Sequence, residues 1–259
     1  MKSVAASLRV REWRRLAWRH PEWWTIALSA VAWATIMGQW TFASSHVHGE
    51  HADHAGRHGA LIVGSVLMLI ASSLVMIAAM MFPMVISSVR TVAARSLWPR
   101  RRRAILQFLA GYMAPWMLFS LVVSIALAVL QAQEIGLSFE SSQAAAFAFC
   151  AAVLWQLTPV KRRALFACHR TIPIAARGWR ADRDCFRSGW MIGNSCVASC
   201  WVLMLACMLS EHSLPAMLCA TLIGMIERTQ FRPNQRLLCS AMLLLAVVYV
   251  TMPYLSHPH

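Results

Sequence analysis

Two sulfur-bearing stretches have spacing that suits metal chemistry. In Met76-Ile77-Ala78-Ala79-Met80-Met81-Phe82-Pro83-Met84, the residues Met76, Met80 and Met84 recur every fourth position, so a helix carries them on one face. In Cys196-Val197-Ala198-Ser199-Cys200-Trp201-Val202-Leu203-Met204 the same spacing joins Cys196, Cys200 and Met204, with Met208 one turn further and Cys207 beside it. Met113 and Met117 form a shorter pair. Thiolates and thioethers are soft ligands that select Cu(I)-type ions. Methionine also fills irregular apolar space, and packing is the ordinary alternative for these stripes. A harder donor set lies elsewhere: His46, His48, His51, His54 and His58, with Glu50 and Asp53. On a helix His51, His54 and His58 share a face, and imidazole binds copper, zinc or nickel. The alternative there is a low-complexity loop that meets divalent ions without a defined site. Cys168-His169 is a fourth and weaker pair.

The elements that hold these residues are set by hydropathy. The chain has 259 residues, 59% hydrophobic and only 13% charged, too few charges for the surface of a soluble domain. Several apolar runs approach or exceed the ~20 residues that cross a bilayer core as a helix, and lipid forces the backbone of such runs into helices. The expected fold is all-α, a polytopic membrane bundle of about seven transmembrane helices. The spans are 21–42, 60–89, 104–130, 141–157, 188–210, 213–226 and 237–255. The short sixth span is the one whose crossing the sequence leaves open. Residues 1–20 read as a basic interfacial segment, and 21–259 as one transmembrane domain with a His-rich outer loop 44–59 and basic cytoplasmic loops 90–103 and 158–187. Thr158 and Pro159 have the chemistry of an N-cap and first helical position, so a surface helix is expected to start there.

Charge placement gives the orientation. With seven spans and a cytoplasmic N-terminus, every Lys and Arg of the 24 except Arg57 falls on the inner side, as the positive-inside rule requires. The net charge of +14 is thereby accounted for by topology, and no nucleic-acid partner is expected. The setting is the bacterial cytoplasmic (inner) membrane, with the lipid bilayer and a metal ion as partners; a protein partner or homo-oligomer is left open. No cysteine falls in an outer loop, so no structural disulfide is expected. Counted at ~1.5 Å per residue, Met76 and Cys200 lie near mid-membrane. Met80, Met113 and Cys196 lie about one turn towards the inner side. Pro83 and Pro115 interrupt their helices and free the carbonyls of Ala79 and Gly111, which could open a cavity beside the sulfurs or simply mark packing kinks.

No P-loop, HExxH, GxSxG or dinucleotide fingerprint is present, and the spans carry no carboxylate pair. The reading is not enzymatic. A membrane oxidoreductase would need an acid or base that the sequence does not supply.

Three motifs taken together carry a resemblance: residues 76–84, Gln156-Leu157-Thr158-Pro159-Val160-Lys161-Arg162, and residues 196–204. In this order they resemble the predicted metal-binding integral membrane proteins grouped as domain-of-unknown-function family 2182, over roughly residues 60–250. The resemblance implies metal binding. The chain departs from that pattern at Ser199 and Ala164, where cysteines are usual, which leans the implied ligands towards Met76, Met80, Cys196 and Cys200. The expected function is binding, transport or delivery of a soft transition metal, most readily copper, by outer His and intramembrane Met/Cys ligands. The alternative is a non-transporting scaffold or assembly factor whose methionines are packing.

Overall fold

A computed structural model describes residues 22–45, 58–132, 141–170, 172–175, 177–210, 213–230 and 234–256. The segment 1–20 and the histidines His46, His48, His51 and His54 lie outside these residues. Eight α-helices are described: α1 (Trp23–Ser45), α2 (His58–Arg95), α3 (Arg101–Ala132), α4 (Ser141–Gln156), α5 (Pro159–Ala167), α6 (Gly178–Leu209), α7 (Leu214–Thr229) and α8 (Gln235–Ser256). A single 3₁₀ turn, Trp98–Arg100, joins α2 to α3. Among the described residues there is no strand, so the all-α expectation holds.

Among the described residues three helices are long and apolar enough to cross a membrane: Ile70–Arg95, Trp98–Leu127 and Gly178–Leu209. A fourth span arises if α4 and α5 count as one, but they meet at a 77° bend. The break has a local cause. Thr158 accepts a hydrogen bond from the Lys161 N–H, and Pro159 follows as the first helical residue, so a new helix is capped where the old one ends.

The basic segments are less loop-like than hydropathy suggests. α2 runs on to Arg95, and α6 begins at Gly178, well before the expected Ser188. Arginine ends an apolar run but is a good helix former, so charge marks where a helix leaves the apolar layer and not where it ends. Ion pairs tie this basic end together. Arg90 meets Glu22 at 2.8 Å, joining α2 to α1. Arg103 meets Asp182 at 2.9 Å, and Arg100 also reaches Asp182, joining the start of α3 to the start of α6.

α6 is the central helix, packed by α3, α4, α5 and α7, while α2 contacts α1, α3 and α7. Tyr112 and Trp116 from α3, Met76, Met80 and Met81 from α2, Met204 from α6 and Met217 from α7 are fully buried. The outward faces remain apolar, with Leu106, Leu118 and Val122 on α3 and Leu244 and Val247 on α8 exposed. Such surfaces fit a hydrocarbon surrounding and not water.

Pro83 acts at the contact between α1 and α2. The Ala79 carbonyl that it frees accepts from Ser29 Oγ at 2.8 Å and from Trp33 Nε1 at 3.1 Å, so the proline docks α1. The opening next to Pro83 is an apolar groove of about 320 Å³ with Ile26, Trp33, Ile86 and Leu222 in its walls. Pro115 packs towards Gly193.

Candidate metal centre

The site is built on the α3–α6 contact. Gly189 and Gly193 are one turn apart on α6, and Gly111 faces them from α3. A Cβ on Gly189 would overlap the Phe108 carbonyl oxygen, and one on Gly111 would overlap that of Phe186. Small residues at this spacing let membrane helices approach backbone to backbone. The closeness brings Tyr112 across, and its hydroxyl donates to Cys196 Sγ at 3.2 Å.

Sulfur converges on that point. The Cys196 thiol donates to Met81 Sδ at 3.8 Å, from α6 to α2. Cys200 follows Cys196 by one turn of α6, and both side chains are buried in the same core. Ser199 Oγ lies 3.4 Å from Cys200 Sγ and donates to the Cys196 carbonyl at 2.9 Å. A hydroxyl thus stands beside the Cys200 thiol where the resemblance leads one to look for another thiol. The Trp155 indole donates to the Ser199 carbonyl at 3.3 Å and fastens α4 to the same turn. Arg228 Nη1 approaches Cys196 Sγ at 4.0 Å, and its Nε has no protein partner.

Cys168 follows α5 at the basic end and is buried. Burial pushes its thiol up to about 11; the Arg228 charge and the Ser199 hydrogen bond pull it down, and Cys200 pushes it up. His169 is exposed beside it. Its pKa is lowered, first by partial burial and then by Arg228, which favours the neutral imidazole able to bind a metal.

The residues singled out by spacing fall as follows. Met76, Met80, Met84, Cys196, Cys200 and Met204 are all buried in the core, and none faces lipid. Cys196 and Cys200 lie one turn apart on α6, and the methionine sulfur bonded to Cys196 is that of Met81, on the neighbouring face of α2. Met84 points to α7, where its thioether fills the space left by Gly224. Met113 is half-buried against the core, and Met117 is 51% exposed. His51 and His54 lie outside the described residues. His58 opens α2.

Several site residues escaped the spacing argument. Tyr112 and Arg228 carry no motif. Met81 falls off the every-fourth stripe. Lys161 and Glu227 form a buried ion pair, bridged by Gln156, behind the thiols. Two signals were available: the Gly189-Trp190-Met191-Ile192-Gly193 spacing, and Gln156 and Lys161 within one of the resemblance motifs.

The donor set is two thiols and a thioether, and it fits a soft ion held by few ligands. Among the described residues no three of His, Cys, Asp and Glu converge as a metal-binding group. No curated protein and no solved structure matches the chain. A family model described as PpoB2, copper chaperone, matches residues 70–252, which span α2 to α8 and include every residue of the thiol cluster. The match agrees with the copper relation that the motifs implied, while the family 2182 label rests on those motifs alone. This helical membrane protein belongs to the PpoB2 copper chaperone family.

Proposed function

We propose that the chain carries Cu(I) on sulfur ligands inside the bundle, centred on Cys196, Cys200 and Met81, and hands it on at the basic end through Cys168 and His169. The observation that supports this most is the Met81–Cys196 contact of 3.8 Å, with Cys200 one turn along α6. Cu(I) is stable with two or three soft ligands, and a thioether binds it without losing a proton. Each thiol does release one, and the Arg228 guanidinium and Tyr112 hydroxyl face the charge left on Cys196. Met76, Met80, Met84, Met113 and Met204 supply further thioethers along the core. The outer histidines, His51, His54 and His58, gather the ion. The role is carriage and not catalysis.

In this reading the chain spans the bacterial cytoplasmic membrane seven times with its N-terminus inside. α1 and α8 complete the count with α4 and α7 as short crossings. Charge asymmetry along the sequence supports the orientation.

The test is anaerobic loading of the purified protein with Cu(I). The protein is expected to retain copper against a competing chelator. A variant with Met76→Leu, Met80→Leu, Cys196→Ser and Cys200→Ser together loses that copper. Equal stoichiometry in the two proteins ends the intramembrane site.

A further inference from the structure

A cleft of about 190 Å³ opens at the basic end between the last turns of α2, the segment after α5, and α6. Its lining includes Arg95 and Arg170, the hydroxyls of Ser88 and Thr91, and Cys168 and His169; among the described residues no carboxylate lines it. Arg95 donates to the Ile172 carbonyl at 3.3 Å, which holds the segment after α5 against α2 and leaves most of the guanidinium donors for another partner. Two guanidiniums and several hydroxyls with no acidic residue select an anion.

Cys168 gives this anion site a second property. The residue forms part of the cleft wall yet is almost wholly buried, packed into the same core that holds Cys196 and Cys200. It is where the core sulfurs meet the opening. Cu(I) leaves a thiolate by ligand exchange, so whatever takes it here must bring a soft ligand of its own. The cleft is smaller than the roughly 300–1,000 Å³ of an enclosed small-molecule pocket, so no folded protein enters it. It takes part of a small molecule: a thiol-bearing group and its carboxylate.

We propose that this cleft binds a low-molecular-weight anionic thiol, which exchanges Cu(I) with Cys168; the proposal rests on the copper reading above. The incoming thiol forms a sulfur–copper bond as the Cys168–copper bond breaks. Its proton passes to Cys168, which ends as the neutral thiol. Copper remains Cu(I), and no electron moves. Arg95 and Arg170 hold the carboxylate, and the reaction runs in either direction.

The experiment uses the full chain in neutral detergent micelles and has two readouts. The first is equilibrium dialysis of metal-free protein with glutathione and with S-methylglutathione, whose thiol is blocked. Both are expected to bind saturably and to compete. Arg170→Gln, alone and with Arg95→Gln, is expected to weaken binding, at least tenfold for the pair. Arg163→Gln, an exposed arginine outside the cleft, changes it less than twofold. The second readout is copper loss from Cu(I)-loaded protein. Glutathione is expected to accelerate it, and Cys168→Ser to slow that step at least tenfold. Failure of S-methylglutathione to bind overturns the proposal, as does equal binding by the double arginine variant. If phosphatidylglycerol added to the micelles takes the cleft with the same arginine dependence and abolishes glutathione binding, the cleft is a lipid-headgroup site and the proposal falls. Copper stoichiometry on the same preparation separates the two readings. Copper retained without glutathione binding sinks this inference alone, whereas glutathione binding without copper uptake sinks the copper reading.

Discussion

Lys161 Nζ lies 2.9 Å from Glu227 Oε1 with both side chains almost wholly buried, so an ammonium from α5 and a carboxylate from α7 meet inside the bundle. Gln156, the last residue of α4, bonds both partners. The trio therefore holds three helices behind the thiols: the two halves of the bent α4–α5 pair, and α7. The residue after Glu227 is Arg228, which reaches Cys196. The ion pair and the thiol cluster share one backbone turn of α7, so the pair fixes where that guanidinium can go.

Breaking one side of the pair leaves a buried charge alone. Lys161→Met is expected to lower stability by about 3–5 kcal/mol, and Glu227→Leu by a similar amount, because an uncompensated buried ion costs that much. The double variant Lys161→Met/Glu227→Leu is expected to recover most of the loss, since a buried ion pair and an apolar pair of similar volume are close in energy. Thermal unfolding in detergent reads all three. A double variant as unstable as the sum of the singles would show that the charges contribute independently.

Hydropathy made the helical class and the membrane setting legible, because the period of apolar runs and the lipid's demand on the backbone leave few solutions. Spacing found Cys196 and Cys200, which sit one turn apart on a single helix. It did not find Met81, since the rotation of one helix against another is fixed by tertiary packing and not by a local period. Met80 and Met81 are neighbours that point about 100° apart on α2, so the rotation of the helix decides which of them meets Cys196. Tyr112 was invisible for the same reason. The Lys161–Glu227 pair was not visible, because hydropathy averages over a window and does not show that two opposite charges distant in sequence are buried together. The Gly189–Gly193 spacing, a signal present in the sequence but outside the motifs used, marks the face of α6 that meets α3.

Copper affinity should depend on Met81 more than on methionines away from the thiols. Met81→Leu conserves volume, so its cost to the apo protein is expected to stay below about 1.5 kcal/mol. Its Cu(I) affinity is expected to fall about tenfold, measured by chelator competition. Met68 is 75% exposed, and Met68→Leu is expected to leave the affinity within twofold. Thermal shift gives a second measure: wild-type protein at a hundredfold excess of Cu(I) over its Kd gains about 2.7 kcal/mol, and Met81→Leu at the same copper concentration gains correspondingly less. Equal affinities for the two leucine variants would remove Met81 from the site.

The backbone contact between α3 and α6 sets the Tyr112–Cys196 distance, so a methyl at the contact should be felt at the thiol. Gly189→Ala forces the helices apart, because the new Cβ meets the Phe108 carbonyl oxygen, and backbone cannot move aside as a side chain can. Such overpacking costs about 1–3 kcal/mol. It is also expected to stretch the hydrogen bond from Tyr112, which withdraws a donor from the Cys196 thiolate and lowers the rate at which it reacts with a small maleimide. Gly38 supplies the control: a Cβ there meets nothing within 4 Å, so Gly38→Ala leaves that rate unchanged and is neutral or slightly stabilising as a helix substitution.

Pro83 and the α1 side chains that answer it make a closed cycle. Pro83 has no N–H to offer the Ala79 carbonyl, and Ser29 and Trp33 supply the missing donors from α1. Removing both donors by Ser29→Ala and Trp33→Phe leaves that carbonyl buried without a partner, a cost of about 1–3 kcal/mol in addition to any loss of α1 packing. Pro83→Ala restores the N–H within α2, and the helix can then satisfy Ala79 unaided. In the Pro83→Ala background the same two substitutions are therefore expected to cost at least 1 kcal/mol less. Thermal unfolding of the four proteins gives the coupling directly. A coupling near zero would mean that α1 is held by apolar contact alone and that the freed carbonyl plays no part in docking it.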